Sequence, residues 1–563
     1  MSILHVTQIS KKITELFESH LDLTDIGEND VQRDVKVLTR CLAAYAISFS
    51  AGCSESEAAL AVVDGGDDNG IDAIHYSPSL KQMTVVQSKW KQSGTGEPSS
   101  SEIGKYCQGI KDLFNLNFDR FNSKIKEKQL HIEQALGEFD TRYELVLIDT
   151  GNQGLGTHSQ RLIDDLVAEM NDAGEDTQDQ LVNFVRLNQS KIHSSLAASA
   201  GAAPINLEIG LSQWGRITEP HTAYFGMVSA EEICVWWETY GRKLFEKNIR
   251  QVLGATEVNE EMKETLTKHP ENFWYFNNGI TIVCDKVVKS MVGGSSRDSG
   301  SFKLHGAQVV NGAQTVSTIG KFSTINASKL QSVLVSARVI SSENAENDFG
   351  SDVTRANNRQ NRIENRDFVS QDPEQMRIRT ELSIDGIDYN IVRSDSFTST
   401  QSAFDLLEAT AALACASGKT NLTVQAKREI GKYFENLGGG IYKEIFNSSV
   451  SGSYVWNCVQ ATRGVERLLS KKIARLRKKA GRQYGLLVHG NRIITMLSIK
   501  KLGLQPKATE PSFSVDENEL ADTVNKVISS LKNQLDIDYP DAMIATLFKN
   551  QTKCRNLAQA ILA

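Results

Sequence analysis

The chain has 563 residues, of which 40% are apolar and 23% are charged, and its formal net charge is −7. This length predicts about two to four domains, and the composition excludes a chain that is disordered throughout. The charge excludes a protein that is basic over its whole surface. It leaves open a local positive groove for nucleic acid.

The eight cysteines are scattered, and none stands in a pair or in a Cys/His cluster with the spacing of a zinc site. We therefore expect reduced cysteines that are mostly part of the core. The first twenty residues lack the apolar segment of a signal peptide, and no apolar run reaches the length of a membrane span. These features predict a soluble cytoplasmic protein without a membrane partner.

Residues 1–200 predict a mixed α/β unit in the order helix, strand, turn, strand, helix, strand. The apolar spacing of residues 30–51 is helical, and Ser54 with Glu57 has the pattern of a capping box. "GIDAIHYS" and "MTVVQSKW" are rich in strand-forming residues and are separated by the turn signal "SPSL". A helix in "SEIGKYCQGIKDLF" and a buried strand in "YELVLIDTG" follow.

Three polar residues of the two predicted strands suit a metal-dependent phosphodiester hydrolase. Gln87 and Lys89 are two residues apart and therefore point to the same side of a strand. If the strand ending at Asp72 pairs with it, Asp72 lies beside them. Asp72, the Gln87 side-chain oxygen and the Ser88 carbonyl would then offer oxygen ligands to Mg²⁺, and Lys89 would orient the attacking water.

The run Asp67-Asp68-Asn69-Gly70-Ile71-Asp72 before Gln87-Ser88-Lys89 resembles the Mrr branch of the PD-(D/E)xK nucleases. The resemblance implies a restriction-endonuclease-like sandwich that uses Mg²⁺, with Mn²⁺ as a possible substitute. Glutamine stands where glutamate is commoner in these nucleases. Glu57, or alternatively Asp34, is expected to supply the further acidic ligand from the preceding helix. The alternative is an edge strand whose polar residues only face water.

Residues 201–400 predict a second α/β unit, with a domain boundary near residue 200 at a segment of small residues. The helix is expected in "SAEEICVWWETYGRKLFEKNIRQVL", with a capping box at Ser229 and Glu232. Strands are expected in "GITIVCD", "HGAQVVNGAQTV" and "SVLVSARVI". We expect the tryptophans of this unit, Trp274 among them, in the core or an interface.

Four motifs of this region, "LFEKNIR", "FWYFNNGITIV", "QVVNGAQTV" and "RANNRQNRIENRDF", occur in the order typical of the AIPR (abortive infection phage resistance) family. The resemblance covers roughly residues 220–540. Amides and guanidiniums of these motifs suit a phosphate-bearing or base-bearing ligand such as a nucleotide. Taken singly, each Asn-Gly pair is equally typical of a turn. The candidate ligand-binding residues are Arg250, Asn277, Asn278, Asn311, Gln314, Arg359 and Asn361.

Residues 401–563 are predicted to be mainly helical and to complete the AIPR module. One helix, Arg463–Arg482, carries nine basic residues and one acid and is a candidate for contact with the DNA backbone. The alternative interpretation is that these basic residues form a solvated helix face. The candidate DNA-binding residues, expected to share much of one face, are Lys471, Lys472, Arg475, Lys478, Lys479 and Arg482.

Together the patterns predict an antiphage defence protein of the bacterial cytoplasm. Its N-terminal unit would be a Mg²⁺-dependent DNA endonuclease and its AIPR module a sensor that controls cutting. The alternative function is a nucleotide- or DNA-binding sensor with an inactive nuclease fold. No P-loop sequence is present, which excludes a Walker-type ATPase. Because cutting both strands often requires two active sites, a homodimer is expected.

Overall fold

This computed structural model describes most of the chain. The described ranges are 2–78, 80–174, 180–201, 204–245, 257–290, 297–343, 372–392, 399–504 and 513–563, with single positions between 345 and 370.

A four-stranded sheet in the order β1-β2-β3-β4 forms the centre of the N-terminal unit. The β1–β2 hairpin is antiparallel, and β2–β3 and β3–β4 are parallel. This confirms the predicted hairpin and the buried third strand. The strands are β1 (Ala73–Ser77), β2 (Gln82–Lys89), β3 (Arg142–Asp149) and β4 (Val182–Leu187).

Helices cover both faces of this sheet, which explains why β2 is almost continuously buried. Val86 packs in a core with residues of α1, α2 and α8, and Val85 packs in a second core with residues of α4 and α7. Successive strand residues thus serve opposite faces. The helices are α1 (Ser2–Phe17), α2 (Arg33–Ala51), α3 (Glu55–Leu60), α4 (Ser100–Phe114), α5 (Ser123–Glu127), α6 (Gln129–Gly137), α7 (Thr157–Asn171) and α8 (Gln189–Gly201).

The second unit contains a seven-stranded mixed sheet in the order β10-β7-β11-β6-β5-β9-β8. One apolar core of this sheet and its helices includes Trp236 and Phe302. The strands are β5 (Leu207–Ile217), β6 (Ala223–Ser229), β7 (Ile280–Cys284), β8 (Lys286–Lys289), β9 (Ser299–His305), β10 (Gln308–Asn311) and β11 (Leu334–Ser341). The helices are α9 (Ala230–Tyr240), α10 (Glu257–Lys268), α11 (Phe273–Phe276) and α12 (Ala313–Asn326).

Three local predictions for this unit were wrong. The long helix expected from residue 229 ends at Tyr240, because Gly241 has a φ of 52° that a helix does not accept. Glu232 does not complete a capping box, because its carboxylate accepts a hydrogen bond from the backbone of Gly210. In "HGAQVVNGAQTV" only the first half is a strand, and α12 begins at Ala313.

The C-terminal region is mainly helical, as predicted, with one small parallel sheet of β12 (Asp388–Asn390) and β13 (Ala403–Asp405). The helices are α13 (Pro373–Ile384), α14 (Leu406–Ala416), α15 (Thr420–Arg428), α16 (Gly440–Ile445), α17 (Gly452–Arg475), α18 (Gly481–His489), α19 (Asn491–Lys501), α20 (Glu517–Asp538), α21 (Ile544–Leu547) and α22 (Gln551–Leu562).

The C-terminal helices pack directly on the N-terminal unit. Tyr484 and Met543 belong to the same apolar core as strands β2 and β3. Arg142 at the start of β3 forms an ion pair with Glu429 at 2.5 Å. The two ends of the chain are therefore joined by both apolar and charged contacts.

The mixed α/β class is confirmed, whereas assignment of the first sheet to the restriction-endonuclease type stays a prediction. All eight cysteines are free and buried, as expected. Within the described residues, no helix combines the length and apolar character needed to cross a bilayer.

Helix α4 approaches the loop before β1 so closely that Gly109 is needed at the contact. A Cβ atom at Gly109 would lie 2.1 Å from the Asn69 carbonyl oxygen. At Gly104, in the same helix, a Cβ would meet nothing within 4 Å. The two glycines therefore differ only in what surrounds them.

We expect Gly109→Ala to lower the free energy of unfolding by about 1–3 kcal/mol, because the added methyl group pushes the loop from the helix. Gly104→Ala is the matched control and should stabilise by about 0.5–1 kcal/mol through helix propensity. Urea unfolding of both variants measures the difference. Equal stability of the two variants would contradict the close contact.

Candidate metal site

Asp72 lies immediately before β1 and is fixed at both its backbone and its side chain. Its N–H donates to the Val86 carbonyl, and its own carbonyl accepts from Val63 and Asp64. Its Oδ2 accepts from the Ser88 N–H at 2.6 Å and from the Ser88 hydroxyl at 3.3 Å. Asp72 is only 1% exposed, so its carboxylate is held in a fixed position within the fold.

The loop from Asp64 to Asp72 turns back on itself and brings further carboxylates to this point. Asp67 and Asn69 have φ values of 57° and 55°, in the left-handed region. Gly70 has a φ of 79°, and a Cβ there would lie 2.9 Å from the Tyr106 nitrogen of α4. The loop is therefore shaped by its own turn residues and by close packing on α4.

Asp64, Asp68 and Asp72 form a group whose carboxylate oxygens lie within 4.8 Å of one another. Asp72 was predicted to belong to the site from its sequence, whereas Asp64 and Asp68 were not. Their spacing of four residues within a glycine-rich loop is the signal that could have indicated them. Asp64 is positioned by Arg40, whose Nε donates to it at 3.0 Å and whose other nitrogens hold Asp25.

Burial raises the pKa of Asp72 to about 7. The positive charge of Lys89 and the Ser88 N–H act in the opposite direction, and the charges of Asp64 and Asp68 add to the increase. Each carboxylate already faces one protein cation: Arg40 at Asp64, Lys105 at Asp68 and Lys89 at Asp72. The burial of Asp72 among like charges favours a further cation at this residue.

Lys89 lies beside Asp72, and the register in which Ala73 pairs with Val86 places Gln87 across from Asp72. Lys89 Nζ is 3.9 Å from Asp72 Oδ2 and keeps part of its surface exposed. Gln87 Nε2 donates to the Glu102 carbonyl at 3.1 Å. Gln87 Oε1 is buried and accepts no hydrogen bond from any described residue. A buried amide oxygen without a donor is costly unless a ligand uses it.

These residues fit a hard divalent cation. Mg²⁺ and Mn²⁺ prefer oxygen ligands, and this region has three carboxylates, two of which also pair with Arg40 and Lys105, and the unused amide oxygen of Gln87. Ser88 contacts Asp72 through its N–H and hydroxyl, which are donors. Its carbonyl, expected as a ligand, stays a prediction.

Glu57 does not join this group. Its carboxylate closes the capping box with Ser54 at the start of α3, which confirms the predicted cap and occupies the group expected on the metal. Asp34, the alternative, lies exposed in the first turn of α2, and the described acidic group does not contain it. The acidic residues that lie near Asp72 are therefore in the loop before β1 and not in the preceding helix.

The two Asn-Gly motifs of the second unit lie next to each other. A Cβ at Gly312 would be 2.5 Å from the Gly279 carbonyl oxygen, so the turns after Asn278 and Asn311 are in contact. Asn277 follows the last residue of α11, and its side-chain amide donates to the carbonyl of Phe273, the first residue of that helix. Gln314 lies in the first turn of α12. Arg250, Arg359 and Asn361 lie outside the described residues.

The aromatic residues beside these motifs are more exposed than expected. Trp236 is buried as predicted, but Trp274 is partly exposed, and its neighbour Tyr275 is 74% exposed. Trp274 is therefore not part of the core, and its predicted alternative place in an interface stays a prediction. A four-residue helix cannot turn three successive aromatic side chains toward one core.

The predicted basic helix is divided into two elements. α17 ends at Arg475 and α18 starts at Gly481, so the six candidate residues cannot share one helix face. Lys478 pairs with Asp119 at 2.8 Å, and Arg482 pairs with Asp536 at 3.1 Å. Lys471, Arg475 and Lys479 are exposed, and Lys472 is half-buried. Contact of this segment with DNA stays a prediction.

A family model described as AIPR protein matches residues 245–562. No curated protein and no solved structure matches the chain. The match includes the two Asn-Gly motifs and the basic segment and leaves the carboxylate group outside it.

We expect Asp72→Asn to stabilise the metal-free protein, and more strongly at about pH 8 than at about pH 4. The folded carboxyl group ionises at about 7 and the unfolded one near 3.8, so its contribution to stability is lost as pH rises through that interval. The difference should be on the order of 3 kcal/mol. Thermal unfolding with a chelator measures it, and an equal change at both pH values would contradict the burial of this charge.

Proposed function

Because the family match covers more than half of its length, the chain belongs to the AIPR family, and we propose that its N-terminal unit is a Mg²⁺-dependent DNA endonuclease. One observation carries the proposal. Three carboxylates lie together beside a partly exposed lysine, and Gln87, whose buried amide oxygen is unused, precedes that lysine on the same strand. Oxygen ligands for a hard cation next to an ammonium are the parts that phosphodiester hydrolysis needs.

Asp72, with Asp64 and Asp68, would hold the cation, and Gln87 Oε1 would complete the protein ligands. When bound, Mg²⁺ or Mn²⁺ would polarise the scissile phosphate and lower the pKa of a coordinated water. Lys89 can reach outward from the carboxylates, orient the attacking water and offset the charge that develops on the phosphate. Ser88 keeps the Asp72 carboxylate in place through its N–H.

The AIPR module would decide when the nuclease acts. Direct packing of Tyr484 and Met543 on the nuclease core supports such control, because a change in the C-terminal helices reaches the sheet through these contacts. The family name, abortive infection phage resistance, supports a role in defence against phage. The substrate is then DNA, and the exposed part of the basic segment is its candidate backbone contact.

The second candidate function is a nucleotide- or DNA-binding sensor whose nuclease fold is inactive. Gln87 favours it, since an amide is a weaker ligand than the glutamate common at this position. The adjacent Asn-Gly turns of the second unit offer amide groups to a ligand. Cleavage measurements separate the two functions.

We expect wild-type protein to nick or linearise plasmid DNA with Mg²⁺ or Mn²⁺. Asp72→Ala and Lys89→Ala should each reduce the rate by at least about hundredfold, because each removes a group acting on the reacting phosphate. Lys111→Ala is the matched control, since Lys111 pairs with Glu169 away from the carboxylates. Cleavage that is unchanged by both substitutions would contradict the assignment of Asp72 and Lys89 to the nuclease site. If all forms bind DNA but none cleaves it, the sensor function is favoured.

Gln87→Glu should increase the affinity for Mg²⁺ by about tenfold, because it adds a charged oxygen ligand at the unused amide position. Calorimetric titration with Mg²⁺ in a Lys89→Ala background measures this without turnover. Gln87→Leu is its counterpart and should weaken binding. Identical affinities of all three forms would show that residue 87 does not contact the metal.

A further inference from the structure

Lys105 differs from the other two cations beside the carboxylate group in the exposure of its side chain. The three ion pairs are Arg40 with Asp64, Lys89 with Asp72 and Lys105 with Asp68. In that order, the exposed fraction of the basic side chain rises from 3% through 26% to 55%. Lys105 is therefore the cation that leaves its carboxylate at the smallest cost in free energy.

The hydrogen bonds of the cations lead to the same conclusion. Arg40 donates to the carboxylates of Asp25 and Asp64 and to the backbone carbonyls of Asp22 and Asp64, so it is fixed in place. Lys105 Nζ donates to Asp68 Oδ1 at 2.9 Å, and this is its one hydrogen bond to the described part of the chain. A single bond to an exposed ammonium is readily exchanged for another partner.

The backbone of Lys105 is nevertheless held against the loop that carries the carboxylates. A Cβ at Gly70 would lie 3.0 Å from the Lys105 carbonyl carbon. Asp68 Oδ1 also accepts from the Gly70 N–H at 2.8 Å, and Asp68 is only 8% exposed. The helix and the loop are thus in fixed contact, and the Lys105 ammonium can change its partner by side-chain rotation alone.

A divalent cation on the carboxylates would weaken the ion pair of Lys105. The carboxylate oxygens of Asp64, Asp68 and Asp72 lie within 4.8 Å of one another, so a cation that contacts all three lies close to the Lys105 ammonium. The two like charges then compete for the Asp68 carboxylate. DNA brings a row of phosphate charges to the same place, and an ammonium is a strong hydrogen-bond donor to phosphate oxygen.

We propose that Lys105 is a substrate-binding residue that exchanges partners: it pairs with Asp68 before a divalent cation binds, and it then donates to a phosphate of the bound DNA. The inference rests on the proposed function of the N-terminal unit. Its consequence is that metal binding and DNA binding are coupled through one side chain. Lys105 thereby compensates for the acidic character of the site once the substrate arrives.

The first measurement is calorimetric titration of the full-length protein with Mg²⁺ in the absence of DNA. Lys105→Met should bind Mg²⁺ about threefold to fivefold more tightly than the wild type, because the competing ammonium is removed. Lys105→Arg keeps the charge and should bind as the wild type does. Lys111→Met is the matched control, because Lys111 lies on the same helix but pairs with Glu169, and it should leave the affinity unchanged.

The second measurement is fluorescence anisotropy of a labelled short DNA duplex, in a Lys89→Ala background that prevents turnover. With saturating Mg²⁺, the addition of Lys105→Met should weaken DNA binding by about fivefold. It should also reduce the slope of log K against log salt by about one, because one phosphate contact is lost. With a chelator in place of Mg²⁺ the effect should be much smaller, since Lys105 then stays on Asp68.

Tighter Mg²⁺ binding together with weaker DNA binding supports the proposal, because an ion pair that only stabilises the fold does not move these two affinities in opposite directions. Equal Mg²⁺ affinities of wild type and Lys105→Met overturn the exchange and leave the metal site standing. An unchanged DNA affinity with Mg²⁺ overturns the phosphate contact.

Failure of the proposed nuclease gives different results. If neither the wild type nor Lys105→Met binds Mg²⁺, the metal site is wrong, and the role of Lys105 is rejected with it. If Mg²⁺ and DNA bind but the wild type does not cleave, the nuclease function alone is rejected. The two affinities then still decide for or against the exchange of Lys105.

Discussion

The N-terminal unit depends on the way Asp72 is bound into the sheet. Its backbone joins Val63, at the end of the helical segment, to Val86 of β2, and its carboxylate is fixed by Ser88. These contacts close the loop from Asp64 to Asp72 and bring three carboxylates together. The same arrangement gives Asp72 a raised pKa, because the charge is buried among like charges. Stability is lowered at a place where a bound cation would restore it, which is typical of functional sites.

The second constraint is the packing of the two ends of the chain against each other. Tyr484 and Met543 enter the core of the first sheet, and Glu429 meets Arg142 at the start of β3. Lys549 of the C-terminal region also contacts this sheet, because its Nζ donates to the Tyr143 hydroxyl. Two units that share a core differ from two domains on a linker, because any change in one alters the packing of the other.

Part of the site was predictable because it depends on local pattern. The hairpin, the alternation that places Gln87 and Lys89 together, and the proximity of Asp72 follow from strand periodicity and one turn. The assignment of Glu57 to the metal failed for a local reason as well. A glutamate three residues after an N-cap serine completes a capping box, so its carboxylate accepts a hydrogen bond from the Ser54 backbone N–H. Asp64 and Asp68 were missed because their approach depends on left-handed turn residues and on close packing of Gly109 against Asn69.

The sequence by itself determined the mixed α/β class, three of the four strands of the first sheet, the buried free cysteines and the family of the C-terminal half. These features depend on periodicity, composition and ordered motifs, which act over short distances along the chain. Only the tertiary structure decided which carboxylates meet Asp72 and that the basic segment is broken at Leu476–Ala480. The physical reason is that contacts between residues far apart in sequence are selected by packing and charge burial, which no local pattern records.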